Sequence, residues 1–332
     1  MSDKESDKEV DELVELADLV TPMAIRTAAT LRLVDRLDEP RTAADLAEEI
    51  GADADALERL MRHLVTIGLL SRDDTGRYTP TARGACLRDD HPAELRADWD
   101  VDGSIGRADV SAMALPHSVR TGAAAFPELY GAPFWADLAT DPARSAAFDE
   151  QRGVASGLEA PGIVAAYDWG ALGDVMDVGG GDGTLLIALL NEYPALRGTL
   201  LDLQGPAESA RKLIDAAGLA DRADVVAGDF LDRVPPGAEG YLLSAIVHSW
   251  NDTDARRILS RCAEAAGQDG AVFVIERVPA RERTHADLRN LAWFGGKVRD
   301  VTELTELAES VGLTRARAHT DGDLVVLELR AA

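Results

Sequence analysis

Positive charge is scarce in this chain. Its 34 Lys and Arg residues face 59 Asp and Glu residues, which gives a formal net charge of −25. Nucleic acids and anionic membranes are bound by clustered Lys and Arg, so we expect neither as a partner. No run of about 18 apolar residues occurs, and the opening M-S-D-K-E-S-D-K-E-V lacks the apolar core of a signal peptide. We therefore expect a soluble cytoplasmic protein.

Cysteine is also rare, with only Cys86 and Cys262 in 332 residues. Two cysteines make neither a disulfide framework nor a metal cluster, so we expect no metal site. Each cysteine is interpreted as a small buried apolar side chain. The length allows two domains and a large core, and a hydrophobic content of 46% is ordinary for a globular protein.

The first half of the chain has helical periodicity. Apolar residues recur at nearly 3.6-residue spacing over Asp11–Leu37, with an interruption at Pro22. Capped helices are predicted at Thr42–Ile50 and Asp53–Leu70, followed by a polar hairpin. Helix, helix and hairpin form a winged-helix pattern, which is typical of DNA-binding proteins. Because acidic residues outnumber arginines over Arg41–Asp90, we expect a dimerisation and substrate-covering role instead.

From Asp174 onward, strand and helix patterns alternate, which predicts a parallel sheet with crossover helices. The predicted strands are Val175–Val178, Thr199–Leu203, Ala223–Ala227, Tyr241–Val247 and Ala271–Val278. The predicted helices between them are Leu185–Glu192, Ala207–Ala217 and Thr253–Ala266. A helix near Thr302–Ser310 and the strands Thr314–His319 and Asp323–Leu329 complete the pattern.

A glycine loop follows the first of these strands, in V-M-D-V-G-G-G-D-G-T at 175–184. Glycine allows tight turns and close approach of a ligand to the main chain. The dinucleotide fingerprint G-x-G-x-x-G would need a third glycine at Thr184 or at Leu186, depending on the register. Neither register fits. We interpret the loop as a site for S-adenosylmethionine, which has no pyrophosphate to seat on a helix N-terminus.

Acidic residues end the next two strands, where ligands bind in an open parallel sheet. Asp202 comes 21 residues after Gly181, which is close to the spacing of a carboxylate that holds ribose hydroxyls. Asp229 and Phe230 offer a carboxylate and an aromatic face to an adenine. A plainer interpretation makes both acids caps of the helices that follow. Asp177, inside the first strand, is interpreted as a backbone organiser.

His248 follows the fourth strand, and Glu276 lies near the end of its neighbour. We interpret His248 as a general base and Glu276 as the carboxylate that orients it. The alternatives are a histidine that is merely satisfied at a strand end and a glutamate that pairs with Arg277 or Arg281 at the surface.

Several strings, taken in order, resemble one known family over essentially the whole chain. They are T-P-M-A-I-R-T-A-A-T-L-R-L-V-D, L-Y-G-A-P-F-W-A-D-L, Y-D-W-G-A-L-G-D-V-M-D-V-G-G-G-D-G, L-A-D-R-A-D-V-V-A-G-D-F and D-L-R-N-L-A-W-F-G-G-K-V-R. The chain is similar to the O-methyltransferases of aromatic natural products in plants and actinobacteria, and most similar to bacterial polyketide enzymes of the carminomycin 4-O-methyltransferase type.

The resemblance implies a homodimer and an α/β fold with three regions. Residues 1–90 would form a winged-helix-like dimerisation domain, 91–165 a helical linker that covers the substrate, and 166–332 a Rossmann-like domain with a mostly parallel seven-stranded sheet and a reversed final strand. The implied cofactor residues are Gly179, Gly180, Gly181, Asp202, Asp229, Phe230, Ser244 and Trp250.

The chain departs from the family pattern at three positions. The H-D-W motif of plant-like members is H-S-W here, with Ser249 in place of the acid. A second supporting carboxylate, usual in G-G-K-E-R, is replaced by Val298. These changes leave His248 and Glu276 as the expected catalytic pair. Arg152 stands where relatives usually carry a methionine beside the pocket; it either pairs with a neighbouring glutamate, Glu150 or Glu159, or faces an anionic group of the substrate.

The expected pocket wall is Asn290, Trp293 and Phe294, although the two aromatic residues could equally belong to the core. The sequence thus predicts S-adenosylmethionine-dependent O-methylation of a polyketide-like aromatic hydroxyl. Alternatives are hydroxylation, decarboxylation or cyclisation by a relative that keeps the cofactor, methylation of nitrogen or carbon, and a DNA-binding regulator without enzymatic activity.

Overall fold

A computed structural model describes residues 3–278 and 284–332. Contacts divide the chain into two compact units between Val110 and Ser111. The segment 91–165, predicted as a linker, therefore contributes to both units. Among the described residues, no helix is long and apolar enough to cross a membrane.

The first unit, residues 3–110, is mainly helical. Its elements are α1 (Asp3–Leu16), α2 (Val20–Thr30), α3 (Ala43–Ile50), α4 (Ala54–Thr66), β1 (Leu70–Arg72), β2 (Tyr78–Pro80), α5 (Leu95–Trp99) and α6 (Ser104–Val110). Thr42 and Asp45 form a capping box at the start of α3, and Asp53 caps α4, as the sequence predicts. Strands β1 and β2 pair antiparallel as the wing. Apolar side chains of α2, α3 and α4 enclose the core of this unit.

Three predictions for this unit are wrong in detail. The helical run breaks before Pro22, because both carboxylate oxygens of Asp18 accept backbone N–H groups, from Val20 and Thr21. Proline fits the first turn of the new helix, where no N–H is required. The helix predicted to reach Leu70 ends at Thr66. Cys86 is only half-buried, whereas Cys262 is fully buried as expected.

The second unit, residues 111–332, begins with the helices α7 (Leu115–Thr121), α8 (Phe126–Tyr130), α9 (Phe134–Ala139) and α10 (Pro142–Ala166). The elements that follow are β3 (Asp174–Val178), α11 (Thr184–Glu192), β4 (Arg197–Asp202), α12 (Gln204–Ala216), β5 (Ala223–Ala227), β6 (Gly240–Ser244), α13 (Asp252–Ala266), β7 (Ala271–Arg277), α14 (Thr284–Phe294), α15 (Val301–Glu309), β8 (Leu313–Asp321) and β9 (Leu324–Ala331).

These strands form one seven-stranded sheet in the order β5-β4-β3-β6-β7-β9-β8. Pairing is parallel from β5 to β7, whereas β9 runs antiparallel to both of its neighbours. The predicted Rossmann-like sheet with a reversed final strand is confirmed. Helices α10, α11 and α12 cover one face and α13 and α15 cover the other, each over its own apolar core. Both faces are buried, so the carboxyl edge of the parallel strands is where polar side chains can converge.

Candidate active site

The glycine loop after β3 approaches its neighbours closely. Gly179 has φ +76°, and a Cβ there would lie 2.5 Å from Ile246 Cδ1 and 3.2 Å from Phe230 Cε1. A larger residue would push the loop away from both side chains, so this position requires glycine. The loop therefore lies directly against the segments that follow β5 and β6.

Asp202, at the end of β4, is bonded to that loop. Its Oδ2 accepts the N–H of Gly181 at 2.9 Å, and its Oδ1 accepts the N–H of Leu203 at 2.6 Å. Asp229 accepts the N–H of Leu231 at 2.8 Å. Neither acid is the N-cap of a following helix: α12 is preceded by Leu203, which makes no side-chain cap, and no helix follows Asp229 directly. The plainer interpretation as helix caps is therefore wrong.

Aromatic side chains stand beside these carboxylates. The rings of Phe230 and Trp250 meet edge to face with centroids 5.8 Å apart. Ser244 is the last residue of β6, on the same edge of the sheet. The structure thus brings the residues predicted to bind the cofactor to one place, around the carboxyl ends of four adjacent strands.

Two buried carboxyl groups lie next to the glycine loop, and the sequence pattern does not indicate that Asp149 is one of them. Asp149, on α10, is 6% exposed, and Asp177 is 1% exposed. The Oδ2 atom of each is buried without a hydrogen-bond partner. Burial, followed by the charges of Asp202 and Asp182, raises the pKa of both groups to about 7. Burial also raises the pKa of Asp202 to about 6.

The interpretation of Asp177 as a backbone organiser is not supported, since its Oδ2 bonds no main-chain group. Asp182 does have that role, because its Oδ1 accepts both the N–H and the hydroxyl of Thr184 at the start of α11. A groove of about 440 Å³ passes this cluster, lined by Asp149 and Asp182 among others. Sequence periodicity could not reveal Asp149, since acidic residues on a helix are usually solvated.

The segment after β6 forms a short turn that carries His248. The apolar run predicted as a strand to Val247 ends at Ser244, because Ala245 adopts φ +56° and reverses the chain. Residues Val247–Ser249 then form a single 3-10 turn. A left-handed alanine is strained and persists only where its surroundings enforce it. Here the left-handed Ala245 separates the strand from the turn that carries His248.

Glu276, near the end of β7, holds His248 through both carboxylate oxygens. Its Oε2 lies 2.6 Å from His248 Nδ1, and its Oε1 accepts the backbone N–H of His248 at 3.1 Å. Glu276 is 5% exposed, whereas a quarter of the His248 side chain is exposed. A proton on Nδ1 donated to the carboxylate leaves the Nε2 lone pair free to accept another. The pair therefore has the geometry of a base and its orienting group.

The alternative pairing of Glu276 with Arg277 is wrong. Arg277 instead bonds Glu159 at 2.6 Å and also pairs with Asp323. Arg281 lies outside the described residues. At the position of the missing second carboxylate, Val298 lines a cavity of only about 10 Å³ beside His248 and Glu276.

An aromatic cluster includes two of the predicted wall residues. Phe294 lies parallel to Trp135 with ring centroids 5.2 Å apart, and Trp293 lies 6.2 Å from Phe134 in a stacked arrangement. Phe148 joins the cluster from α10. Trp293 is 8% exposed, so its ring belongs to the core, and its place in a pocket wall stays a prediction.

Two other predicted substrate residues are less enclosed than Trp293. Asn290 is half-buried on α14, one turn before Phe294. Arg152 is exposed on α10. In the part of the chain that the structure describes, Arg152 forms no ion pair with either predicted partner, Glu150 or Glu159, and the Glu159 carboxylate is held by Arg277. Its interpretation as a contact for an anionic substrate stays a prediction.

Comparisons with known proteins agree with this architecture. The O-methyltransferase domain family matches residues 113–314, and the O-methyltransferase dimerisation domain matches residues 14–90. A 2,7-dihydroxy-5-methyl-1-naphthoate 7-O-methyltransferase of Streptomyces carzinostaticus is 50% identical over 95% of this chain and 96% of its own length. Aclacinomycin 10-hydroxylase of Streptomyces purpurascens is 41% identical over 98% of this chain and 92% of its own.

A solved structure extends the comparison to three dimensions. The O-methyltransferase of neocarzinostatin biosynthesis, in complex with S-adenosylmethionine and 2-hydroxy-5-methyl naphthoic acid, matches with a TM-score of 0.91. It is 50% identical, and the match covers 96% of this chain and 98% of that one. The resemblance noted in the sequence is confirmed, and the chain belongs to the O-methyltransferase family, with both the dimerisation domain and the catalytic domain of that family.

Proposed function

We propose that this protein transfers a methyl group from S-adenosylmethionine to a hydroxyl of an aromatic natural product. The observation that carries the proposal is the His248–Glu276 pair, which lies at the same edge of the sheet as the glycine loop and Asp202. A base oriented by a buried carboxylate, beside a nucleotide-type loop, suits removal of a proton from a hydroxyl that is being alkylated.

The residues of the loop region fit this cofactor. No atom lies within 4 Å of the position that a Cβ on Gly181 would take, so a ligand can approach the main chain there. Asp202 and Asp229 provide oxygen acceptors for hydroxyl and amino groups, and Phe230 and Trp250 provide apolar faces for an adenine. The buried carboxyl groups near the loop suit a ligand that carries positive charge. When bound, the cofactor supplies an electrophilic methyl group on a sulfonium.

The substrate class follows from the aromatic cluster and from the relatives. Phe294 ends α14, and Gly296, two residues later, packs against the carbonyl of His248. The wall is therefore continuous with the turn that carries the base. The 50% identical relative is named for a dihydroxylated naphthoate, and we extend that class, a fused bicyclic phenol with a carboxylate, to this chain. Arg152 is the residue that we assign to the carboxylate.

The protein's part in the reaction is alignment and proton removal. Holding an acceptor oxygen in line with the reacting carbon supplies roughly 7–11 kcal/mol of the barrier. A phenol with a pKa of about 10 is mostly protonated at neutral pH, so Nε2 of His248 accepts the proton as the oxygen attacks. Glu276 keeps Nδ1 as the donor nitrogen and stabilises the imidazolium that forms.

We also propose that the enzyme acts as a homodimer in the cytoplasm, where S-adenosylmethionine is available. The dimerisation domain of the family is present at residues 14–90. Helix α1 and the start of α2 expose large apolar side chains, including Leu13, Leu16 and Val20. Exposed apolar side chains in such a row suit burial against a second copy.

The test is the variant His248→Ala, with the exposed His319 on β8 replaced in His319→Ala as a matched control. We expect turnover of a hydroxynaphthoate to fall by about 10²–10⁴-fold in His248→Ala. The affinity for S-adenosylhomocysteine, measured by calorimetry, should stay near the wild-type value, since the loop and the acids are untouched. Wild-type turnover in His248→Ala would remove the base from the mechanism.

A second candidate function is hydroxylation, which the 41% identical aclacinomycin 10-hydroxylase favours. The two reactions differ in their products. Methylation yields one S-adenosylhomocysteine for each product molecule, whereas hydroxylation takes one oxygen atom from O2, needs a reductant to convert the other oxygen atom to water, and leaves S-adenosylmethionine intact. Mass spectrometry of both products in one reaction distinguishes them.

A further inference from the structure

Arg299 is an unusual side chain, because it is a buried arginine next to the catalytic turn. It is 4% exposed, and all five N–H donors of its guanidinium are used. Nη1 donates to the carbonyls of Val247 at 3.0 Å and Lys297 at 2.9 Å. Nη2 donates to the carbonyl of Trp250 at 2.9 Å and to Asp252 Oδ1 at 2.7 Å, and Nε donates to the same Oδ1 at 3.1 Å.

Two of these acceptors flank His248 in the chain. The carbonyl of Val247 precedes the histidine directly, and that of Trp250 follows it by two residues. The 3-10 turn between them is one turn long and follows the left-handed Ala245, so its own hydrogen bonds hold it weakly. The guanidinium therefore bridges the two ends of the turn like a clamp.

A second contact comes from the same segment. A Cβ at Gly296 would lie 2.3 Å from the carbonyl oxygen of His248 and 2.8 Å from the carbonyl carbon of Ser249. The main chain at 295–299 thus packs on the turn without an intervening side chain. Asp252, at the start of α13, balances the arginine charge, and the hydrogen bond from Arg299 lowers the pKa of its carboxyl.

We infer that Arg299 is a positioning residue for the methyl-transfer reaction, because it fixes the main-chain turn on which His248 is carried. Glu276 holds the imidazole and the backbone N–H of His248, and Arg299 holds the main-chain carbonyls before and after it in the turn. This inference rests on the proposed role of His248 as the base. It assigns a function to the last residue of G-G-K-V-R that the motif itself does not reveal.

The first test observes the imidazole directly and needs no turnover. Long-range proton–nitrogen correlation spectra distinguish a histidine fixed with its proton on Nδ1 from one that averages between tautomers, and His248→Ala identifies the signals. We expect a fixed Nδ1–H form in the wild type and averaging in Arg299→Met. Arg261→Met, which removes a half-buried arginine of α13 paired with Glu264, is the matched control and should match the wild type. A wild-type spectrum in Arg299→Met would overturn the inference.

The second test is a double-mutant cycle on turnover. Misplacing a reacting group by about 1 Å costs on the order of 10²-fold, so Arg299→Met should lower kcat by about that factor while KM changes less. In a His248→Ala background the same change should have little further effect, because Arg299 acts through that residue. An equal loss in both backgrounds would show that Arg299 merely supports the fold.

Arg299→Lys guards against a variant that does not fold. Lysine keeps the positive charge beside Asp252 but cannot reach both carbonyls at once, so we expect a kcat between those of the wild type and Arg299→Met. Full activity in Arg299→Lys would contradict the clamp. The two proposals fail separately: normal turnover in His248→Ala rejects the base, whereas the imidazole spectra still report whether Arg299 fixes its position.

Discussion

The buried carboxyl group of Asp149 makes a prediction that can be worked through in energy. Its Oδ2 has no hydrogen-bond partner, and Asp182 and Asp202 place further negative charge nearby. Burial is the larger cause of the raised pKa, and the two neighbouring carboxylates add to it. Replacement by asparagine keeps the shape of the side chain and removes its charge.

The sign follows from proton binding. The folded group has a pKa of about 7 and the model value for the unfolded chain is 3.8, so between these values the folded protein holds a proton that the unfolded chain has released. The associated stability is complete below pH 3.8 and is lost as the pH rises to about 7. At 1.36 kcal/mol per pKa unit, the difference of about 3 units corresponds to on the order of 4 kcal/mol.

The assay is urea unfolding of the cofactor-free enzyme at pH 5 and pH 8, followed by tryptophan fluorescence. From pH 5 to the pKa of about 7 is two pH units, so Asp149 should cost the wild type about 2 to 3 kcal/mol of unfolding free energy over this range. Between pH 5 and pH 8, the Asp149→Asn variant should therefore lose about 2 to 3 kcal/mol less unfolding free energy than the wild type. Glu150→Gln, which changes the exposed neighbour on α10, is the control and should follow the wild type. Equal losses of unfolding free energy in Asp149→Asn and the wild type between pH 5 and pH 8 would refute the reasoning.

Two further outcomes are expected from the same site. Binding of the cationic S-adenosylmethionine near pH 7 should release protons from Asp149 and Asp177, because positive charge lowers the pKa of a nearby carboxyl. Calorimetry in buffers of different ionisation enthalpy measures this release, and binding heats that do not depend on the buffer would contradict it. Gly296→Ala should lower kcat by on the order of 10²-fold, because its Cβ meets the carbonyl of His248 at 2.3 Å, while the affinity for S-adenosylhomocysteine is retained. Steady-state kinetics with calorimetry checks this, and normal turnover would show that the turn accommodates the methyl group.

The sheet, and the contact between the glycine loop and Asp202 at its edge, could be predicted from the sequence because their signals are local. Buried parallel strands such as β3 appear as short apolar runs, and the edge strand β5, Ala223–Ala227, also has the predicted bounds. The glycine loop and Asp202 were found by spacing along the chain. The strand predicted to reach Val247 was too long, because Val247 is fully buried in the turn rather than in the sheet. Hydrophobicity alone does not distinguish these two kinds of burial.

The residues that sequence reasoning missed depend on tertiary contacts. Asp149 and Glu150 are adjacent acids on one helix, yet one is buried and the other exposed, and only the packing of α10 on the glycine loop decides which. Arg299 lies next to Val298 in G-G-K-V-R, but this string does not reveal the role of Arg299. Its role depends on acceptors that are about 50 residues earlier in the chain, as the 52-residue separation from Val247 illustrates. No periodicity connects positions that far apart.

Because Val298 stands where a second supporting carboxylate is expected, the hydrogen bonds from Arg299 to the turn matter more for the position of His248. The G-G-K-E-R pattern of the resembled family would place a second carboxylate there, whereas in this chain the main-chain N–H of Val298 donates to Asp287 at 2.8 Å. The adjoining cavity, at about 10 Å³, has room for no more than about one water molecule. Within the described ranges, Glu276 is therefore the only carboxylate that contacts His248. Because one carboxylate holds the His248 ring, the position of the ring depends on the position of the main-chain turn that carries it. Arg299 fixes that turn.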